Sequence, residues 1–202
     1  MGKIVFRTIA EQIFAKLRVE IVNETLTPGA ELKEESISER FGVSRGPVRE
    51  ALKELSRYGL ISPRGKAGYK VAEPLRPEVR KLIIEIRLMI EKFVIQSLLD
   101  DFTEEDIAEL ETILDGQKKA SIENDTAGVW EADVRFHEYM LKKYNDTHVD
   151  EMWRSGAYRV MMMKEYQHET LFESYEAHVR ILDAIRKKDP HKLFIELENN
   201  IQ

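Results

Sequence analysis

Residues 44–52 read Ser44-Arg45-Gly46-Pro47-Val48-Arg49-Glu50-Ala51-Leu52, and the fold of the first part of the chain turns on them. Ser44 is a helix N-cap residue, and Pro47 falls in the first turn, where a missing N–H breaks no hydrogen bond. Val48, Ala51, Leu52 and Leu55 then form one apolar stripe, and Gly59 stops the helix. Arg45, Arg49 and Lys53 recur every fourth residue and so share the opposite, outward face. Just upstream, Ile37 and Phe41 mark the buried side of a shorter helix over 34–41, and Gly42 is placed to end it in a left-handed cap. Two helices separated by a break at Gly42-Val43 have the spacing of a helix-turn-helix.

Working outward, Leu60 to Arg64 and Tyr69 to Ala72 read as two short strands around Gly65-Lys66-Ala67-Gly68, a hairpin with a basic tip that makes the unit winged. Before the motif, Thr8 with Glu11 forms a capping box, and Ile9, Ile13, Leu17 and Ile21 carry an amphipathic helix to about Asn23. Thr27-Pro28-Gly29 is a tight loop. Two prolines between Glu73 and Pro77 flank a linker, after which strand signals cease. Helical periodicity then runs over 77–99, 103–123, 126–144, 147–166, 170–188 and 190–201. The expected fold is mainly α. A winged helix-turn-helix of three helices plus a β-hairpin fills 1–75, and an all-helical bundle fills 76–202.

The charge is divided along the same line. Residues 1–75 hold 13 Lys/Arg against 10 Asp/Glu, which leaves 18 against 27 for the remainder of a chain whose net charge is −6. Between Arg40 and Lys70 only Glu50 and Glu54 oppose eight basic residues. A local basic patch on an acidic protein is the footprint of a DNA-reading module joined to something else. The absence of cysteine excludes disulfides, thiolate catalysis and Cys-ligated zinc, and fits a cytoplasmic protein. The most apolar stretch, Leu82 to Ile90, is broken by Glu85 and Arg87, and Met1 to Arg7 lacks the apolar core of a signal peptide, so no membrane association is expected.

In the acidic part, His137 interrupts the stripe Trp130, Val134, Leu141, with Asp133 beside it, and His178 lies in line with Ile181, Leu182 and Ile185. Polar groups on buried helix faces are costly unless paired. Two readings follow: structural hydrogen bonds, or a shared Zn²⁺, Ni²⁺ or Mn²⁺ ion held by Asp133, His137 and His178 with positions left open. His148, His168 and His191 sit near helix starts or among polar neighbours and read as surface residues.

The run from Pro28-Gly29 through Ser44-Arg45-Gly46-Pro47-Val48-Arg49-Glu50-Ala51-Leu52 to Gly59-Leu60 resembles the GntR family of winged helix-turn-helix regulators. That resemblance implies that Arg45 and Arg49 contact bases or phosphates of operator DNA. It also implies that Ser44, Gly46 and Pro47 lie against the duplex, and that the wing, with Lys66 at its tip, brings Gly68 to the minor groove. Gly46 departs from the small hydroxyl residue common there, and Glu35 stands where some relatives carry a basic residue.

Residues 77–202 resemble the FCD effector domain of FadR-like members, in its compact six-helix VanR-like form. The resemblance is carried by Arg87 with Glu91, Asp133-x-x-Phe136-His137, and Ala177-His178 followed by Ile181-Leu182-x-Ala184-Ile185. It implies a small organic acid as effector and a divalent metal held by an Asp and three His; a bound cation or Arg87 would attract such a carboxylate into an acidic domain. Here the fourth position of the metal set is Asn200, a poorer ligand for zinc-like ions. A repressor that works as a symmetric homodimer is expected, because one small winged helix reads too few base pairs and two-fold symmetry doubles the contact. Arg87 reads equally as an ordinary ion pair to Glu91. The competing class is a metal-dependent hydrolase or lyase using Asp133, His137 and His178, although no further nucleophile or general base is evident. A purely architectural DNA binder has no use for a long acidic helical domain.

Overall fold

A computed structural model describes residues 8–161 and 171–201, the side chains of Lys66 and Ala127 excepted. The chain divides into two compact units, 1–76 and 77–202.

In the first unit, α1 (Ile9–Val22) starts at the Thr8 capping box, with Glu11 N–H donating to Thr8 Oγ1 and Thr8 N–H to the Glu11 carboxylate. It packs on α3 (Arg45–Arg57), which buries Val48, Ala51, Leu52 and Leu55. Between them, α2 (Glu34–Phe41) ends at Gly42, whose φ of 65° and ψ of 36° are the left-handed conformation its position called for. Phe41 is only half-buried, not a core residue as its spacing implied; its ring is capped by the Arg40 guanidinium at 4.6 Å.

The wing has one strand more than the sequence indicated. β1 (Glu31–Leu32) joins β2 (Ile61–Pro63) and β3 (Tyr69–Val71) in an antiparallel sheet of order β1-β3-β2, with Leu32 opposite Tyr69 and Ile61 opposite Val71. Leu32, Ile61 and Val71 face the helices and are buried. A single 3₁₀ turn (Gly65–Ala67) joins β2 to β3. Gly68, just after it, has φ of 95°, and a Cβ there would lie 2.7 Å from the Leu32 carbonyl oxygen, so β1 and β3 meet only because this residue has no side chain.

The second unit is helical throughout its described residues: α4 (Pro77–Leu98), α5 (Glu104–Ile122), α6 (Thr126–Tyr144), α7 (Thr147–Met161), α8 (Leu171–Arg186) and α9 (Pro190–Ile201). The expected end of the α7 helix, the expected start of the α8 helix and His168 lie outside the described residues. A second capping box, Thr103 with Asp106, starts α5, and the Asp125 carboxylate accepts from Gly128 N–H at the start of α6. α5 packs on α6 and α8, α4 on α6, α7 and α9, and α8 on α9, enclosing Ile95, Leu110, Phe136, Met140, Trp153, Ile181 and Leu197. Among the described residues, no helix is long and apolar enough to cross a membrane.

Candidate functional site

On α3 the outward face carries Arg45 and Arg49, both more than half exposed. Each is held by a carboxylate of the first turn of α2. Arg49 Nε donates to Glu34 Oε1 at 3.1 Å and Nη2 to Oε2 at 2.9 Å, while Arg45 Nη2 pairs with Glu35. The hydrogen bonds from Arg49 hold the Glu34 carboxyl below its ordinary range and raise Arg49 in turn. Exposed pairs of this kind are screened by solvent and weak, so a phosphate or base edge displaces them readily.

Ser44 occupies the N-cap, as expected, but its hydroxyl makes no cap hydrogen bond. The usual donor, the N–H of the third helical residue, is missing because that residue is Pro47. An exposed hydroxyl and the first amides of α3 therefore remain available to an anion. At Gly46 a Cβ would meet nothing within 4 Å, so packing does not demand the glycine. Lys66 lies in the turn at the hairpin tip, and its side chain is outside the described residues. Gly68 is half-buried beside β1, which gives it a structural reason to be glycine independent of any contact with DNA.

In the second unit, Asp133 and His137 on α6 meet His178 on α8 and Asn200 on α9. Both histidines are fully buried. His178 Nε2 lies 2.9 Å from Asp133 Oδ1 and 3.2 Å from His137 Nε2, and His137 Nε2 lies 3.5 Å from the same Asp133 oxygen. The Asn200 amide stands 3.4 Å from His178 Nε2. With metal–ligand bonds of about 2.0–2.1 Å, the edge of a tetrahedral site is about 3.3 Å, so these three atoms already form one face of such a site. Rotating the Asn200 amide by 180° turns its oxygen toward the same point, and the partner it meets, a donor or a cation, rather than packing decides between the two orientations.

One partner was missed by sequence reasoning. Glu91 on α4 is fully buried, and its Oε2 lies 2.6 Å from His137 Nδ1, which orients the ring so that Nε2 faces Asp133 and His178. Its Oε1 accepts from Arg87 Nε at 2.8 Å and from Trp153 Nε1 at 2.6 Å. Arg87 is thus buried and engaged with Glu91, the ion-pair arrangement at i, i+4. Arg87 also lines a cleft of about 180 Å³ between α4 and α7, with Ile83, Ile86, Trp153 and Gly156. Trp130 is half-buried, its ring 6.1 Å from that of the buried Tyr158.

Burial works against both carboxylates. Hydrogen bonds from His137 and His178 nevertheless hold Asp133 far below its ordinary range, and the charges of His137 and Arg87 take Glu91 down to about 2. Burial also opposes charge on the imidazoles. The Glu91 carboxylate outweighs it at His137, which is raised, while at His178 burial prevails and the value is lowered. The arrangement brings two imidazole nitrogens and a carboxylate oxygen within 4.8 Å of one another, a donor set of the kind that holds a metal ion. His148 and His191 are exposed, as expected.

A winged helix-turn-helix with an arginine-bearing second helix, followed by a helical unit with a buried carboxylate–imidazole cluster, defines a DNA-binding regulator. Residues 9–71 match the bacterial regulatory proteins of the gntR family, and residues 82–195 match the FCD domain. The chain belongs to the GntR family and carries an FCD domain; it is a DNA-binding transcriptional regulator, and the hydrolase or lyase alternative falls with that assignment. It is 30% identical over 198 residues to the gluconate operon transcriptional repressor of Bacillus subtilis, covering 92% of this chain and 79% of that one. It is 26% identical over 186 residues to the HTH-type transcriptional regulator YdhC of the same organism, covering 88% and 81%. Among solved structures, E. coli McbR/YncC aligns with a TM-score of 0.72 at 22% identity over 98% of this chain and 95% of that one, a likeness of fold.

Proposed function

We propose that the protein is a homodimeric repressor that reads a pseudo-palindromic operator with α3 and the wing. In this reading it releases or grips DNA according to a small organic acid bound at a divalent metal in the FCD domain. The observation that carries this reading is the convergence of Asp133, His137 and His178 on one point inside the domain. Repression is supported by the relatives named as repressors, among them the gluconate operon repressor.

Arg45 and Arg49 supply the planar forks that meet guanine O6 and N7 or brace phosphates, and Ser44, Gly46, Pro47, Lys66 and Gly68 flank them along the duplex. In the FCD domain, Asp133 Oδ1 and the two Nε2 atoms would hold Zn²⁺, Ni²⁺ or Mn²⁺, with Asn200 as a weaker fourth contact. The ion would supply charge and open coordination positions. With neutral imidazoles, Arg87, Glu91 and Asp133 sum to a single negative charge, so a bound dication leaves a single positive charge to attract one carboxylate in an otherwise acidic domain. Arg87 acts in this reading through Glu91 and through the cleft it lines.

The homodimer is supported by α4, whose outward face exposes Leu82, Ile86, Met89 and Phe93 in one row. Such an apolar row marks an interaction surface, and a copy of itself across a two-fold axis is its simplest complement. Titrating zinc, nickel and manganese into chelator-treated protein, followed by melting, tests the site. A rise in melting temperature that is absent from the His137→Ala, His178→Ala double variant is expected; no shift with any of the three, or an equal shift in the variant, overturns it.

A further inference from the structure

The two carboxylates at the start of α2 are not equivalent. Glu34 is three-quarters covered and forms a two-pronged pair with Arg49. Glu35 is two-thirds exposed, and its contact is with the Arg45 side chain at the very start of α3. On a surface that meets a polyanion, an exposed carboxylate is repelled by every phosphate. It is tolerated only opposite a donor, and in the major groove the donors are the amino groups of cytosine and adenine.

We infer that Glu35 is a specificity determinant of the operator, accepting a hydrogen bond from a cytosine amino group beside the base that Arg45 reaches. This rests on the reading surface proposed above. Because the Glu35 carboxylate touches the Arg45 guanidinium in the free protein, the two groups occupy neighbouring positions when Arg45 turns to DNA. Arg45 then finds guanine acceptors and Glu35 needs a donor within one side-chain length. A cytosine nearby satisfies it best, because adenine sets the N7 acceptor beside its amino group and would repel a carboxylate, and an arrangement with no amino group leaves a desolvated carboxylate unpaired. A basic residue at this place would favour phosphate contact with any sequence. An acid at the same place exchanges general affinity for selectivity.

The test is selection of duplexes from a randomised library by the full-length protein and by Glu35→Ala, Glu35→Gln and Arg45→Ala. Affinity for the selected and for a scrambled duplex is then measured at two salt concentrations. The wild type is expected to enrich cytosine at one position of each half-site, next to guanine. Glu35→Ala loses that preference and binds scrambled DNA roughly three-fold or more tightly, having one repulsive charge fewer. Glu35→Gln moves the preference toward adenine, the base an amide meets with two hydrogen bonds. Glu35→Ala selecting the wild-type bases overturns the inference, even where it melts lower, as loss of a favourable acid at a helix start would produce. If Arg45→Ala also selects as wild type, the reading surface itself falls. If Arg45→Ala loses selection while Glu35→Ala keeps it, only the role of Glu35 falls.

Discussion

Truncating Arg49 removes the guanidinium and its hydrogen bonds to Glu34 while leaving the apolar stripe of α3 intact. Arg49→Ala is therefore expected to melt like the wild type and to lose operator affinity by about 1–3 kcal/mol for each half-site contact, as read by mobility shift. Unchanged binding by the folded variant takes Arg49 off the reading surface. At the other site the informative residue is Glu91. Glu91→Gln keeps the shape but removes the charge facing His137 Nδ1, and metal affinity measured by calorimetric titration should fall about 10–100-fold. Equal affinity would show that His137 is oriented by packing alone. The Asp133, His137 and His178 cluster was legible in the sequence because each interrupts or flanks an apolar stripe. Glu91 was not, because a pair at i, i+4 with Arg87 looks the same on a surface as in a core. The available signal was its place in the row Arg87, Glu91, Val94, Leu98, all of which are buried.

Among the elements, the helix starts were written in side chains that bond their own backbone: Thr8 with Glu11 and Thr103 with Asp106. β1 escaped because two residues, Glu31 and Leu32, carry no period, and their strand exists only through pairing with β3. The pairing depends on Gly68, so Gly68→Ala is expected to lower stability by about 1–3 kcal/mol, through the positive φ and the approach to the Leu32 carbonyl, in urea unfolding. No loss would mean that the wing relaxes without cost. The start of α5 yields a pH-dependent case. Asp106 accepts from Thr103 N–H at 2.7 Å and from the Tyr139 hydroxyl at 2.7 Å, and pairs with Lys143 Nζ at 2.8 Å. Burial raises its value, but these partners hold it well below the ordinary range. A depressed carboxyl contributes stability that is fully present above its unfolded value, about 3.9, and is lost as pH falls toward its folded one. Asp106→Asn should thus cost about 1–2 kcal/mol at pH 7 and progressively less below pH of about 4. A cost independent of pH would locate the effect in packing.

For the molecule as a whole, the proposed homodimer would tie the exposed row Leu82, Ile86, Met89, Phe93 to DNA reading, since one small winged helix meets too few base pairs and two-fold symmetry doubles the contact. Met89→Glu with Phe93→Glu is expected to sediment as a monomer and to lose operator affinity while keeping its metal-dependent melting shift; a variant that remains dimeric shifts the interface elsewhere. The site also has an optical consequence. The chain contains two tryptophans, Trp130 and Trp153, and the indole N–H of Trp153 donates to the carboxylate that holds His137. Any change of charge among Asp133, His137 and His178 alters the field at that buried ring, so in a Trp130→Phe background the emission of Trp153 becomes a built-in reporter that reads occupancy of the cluster without a label.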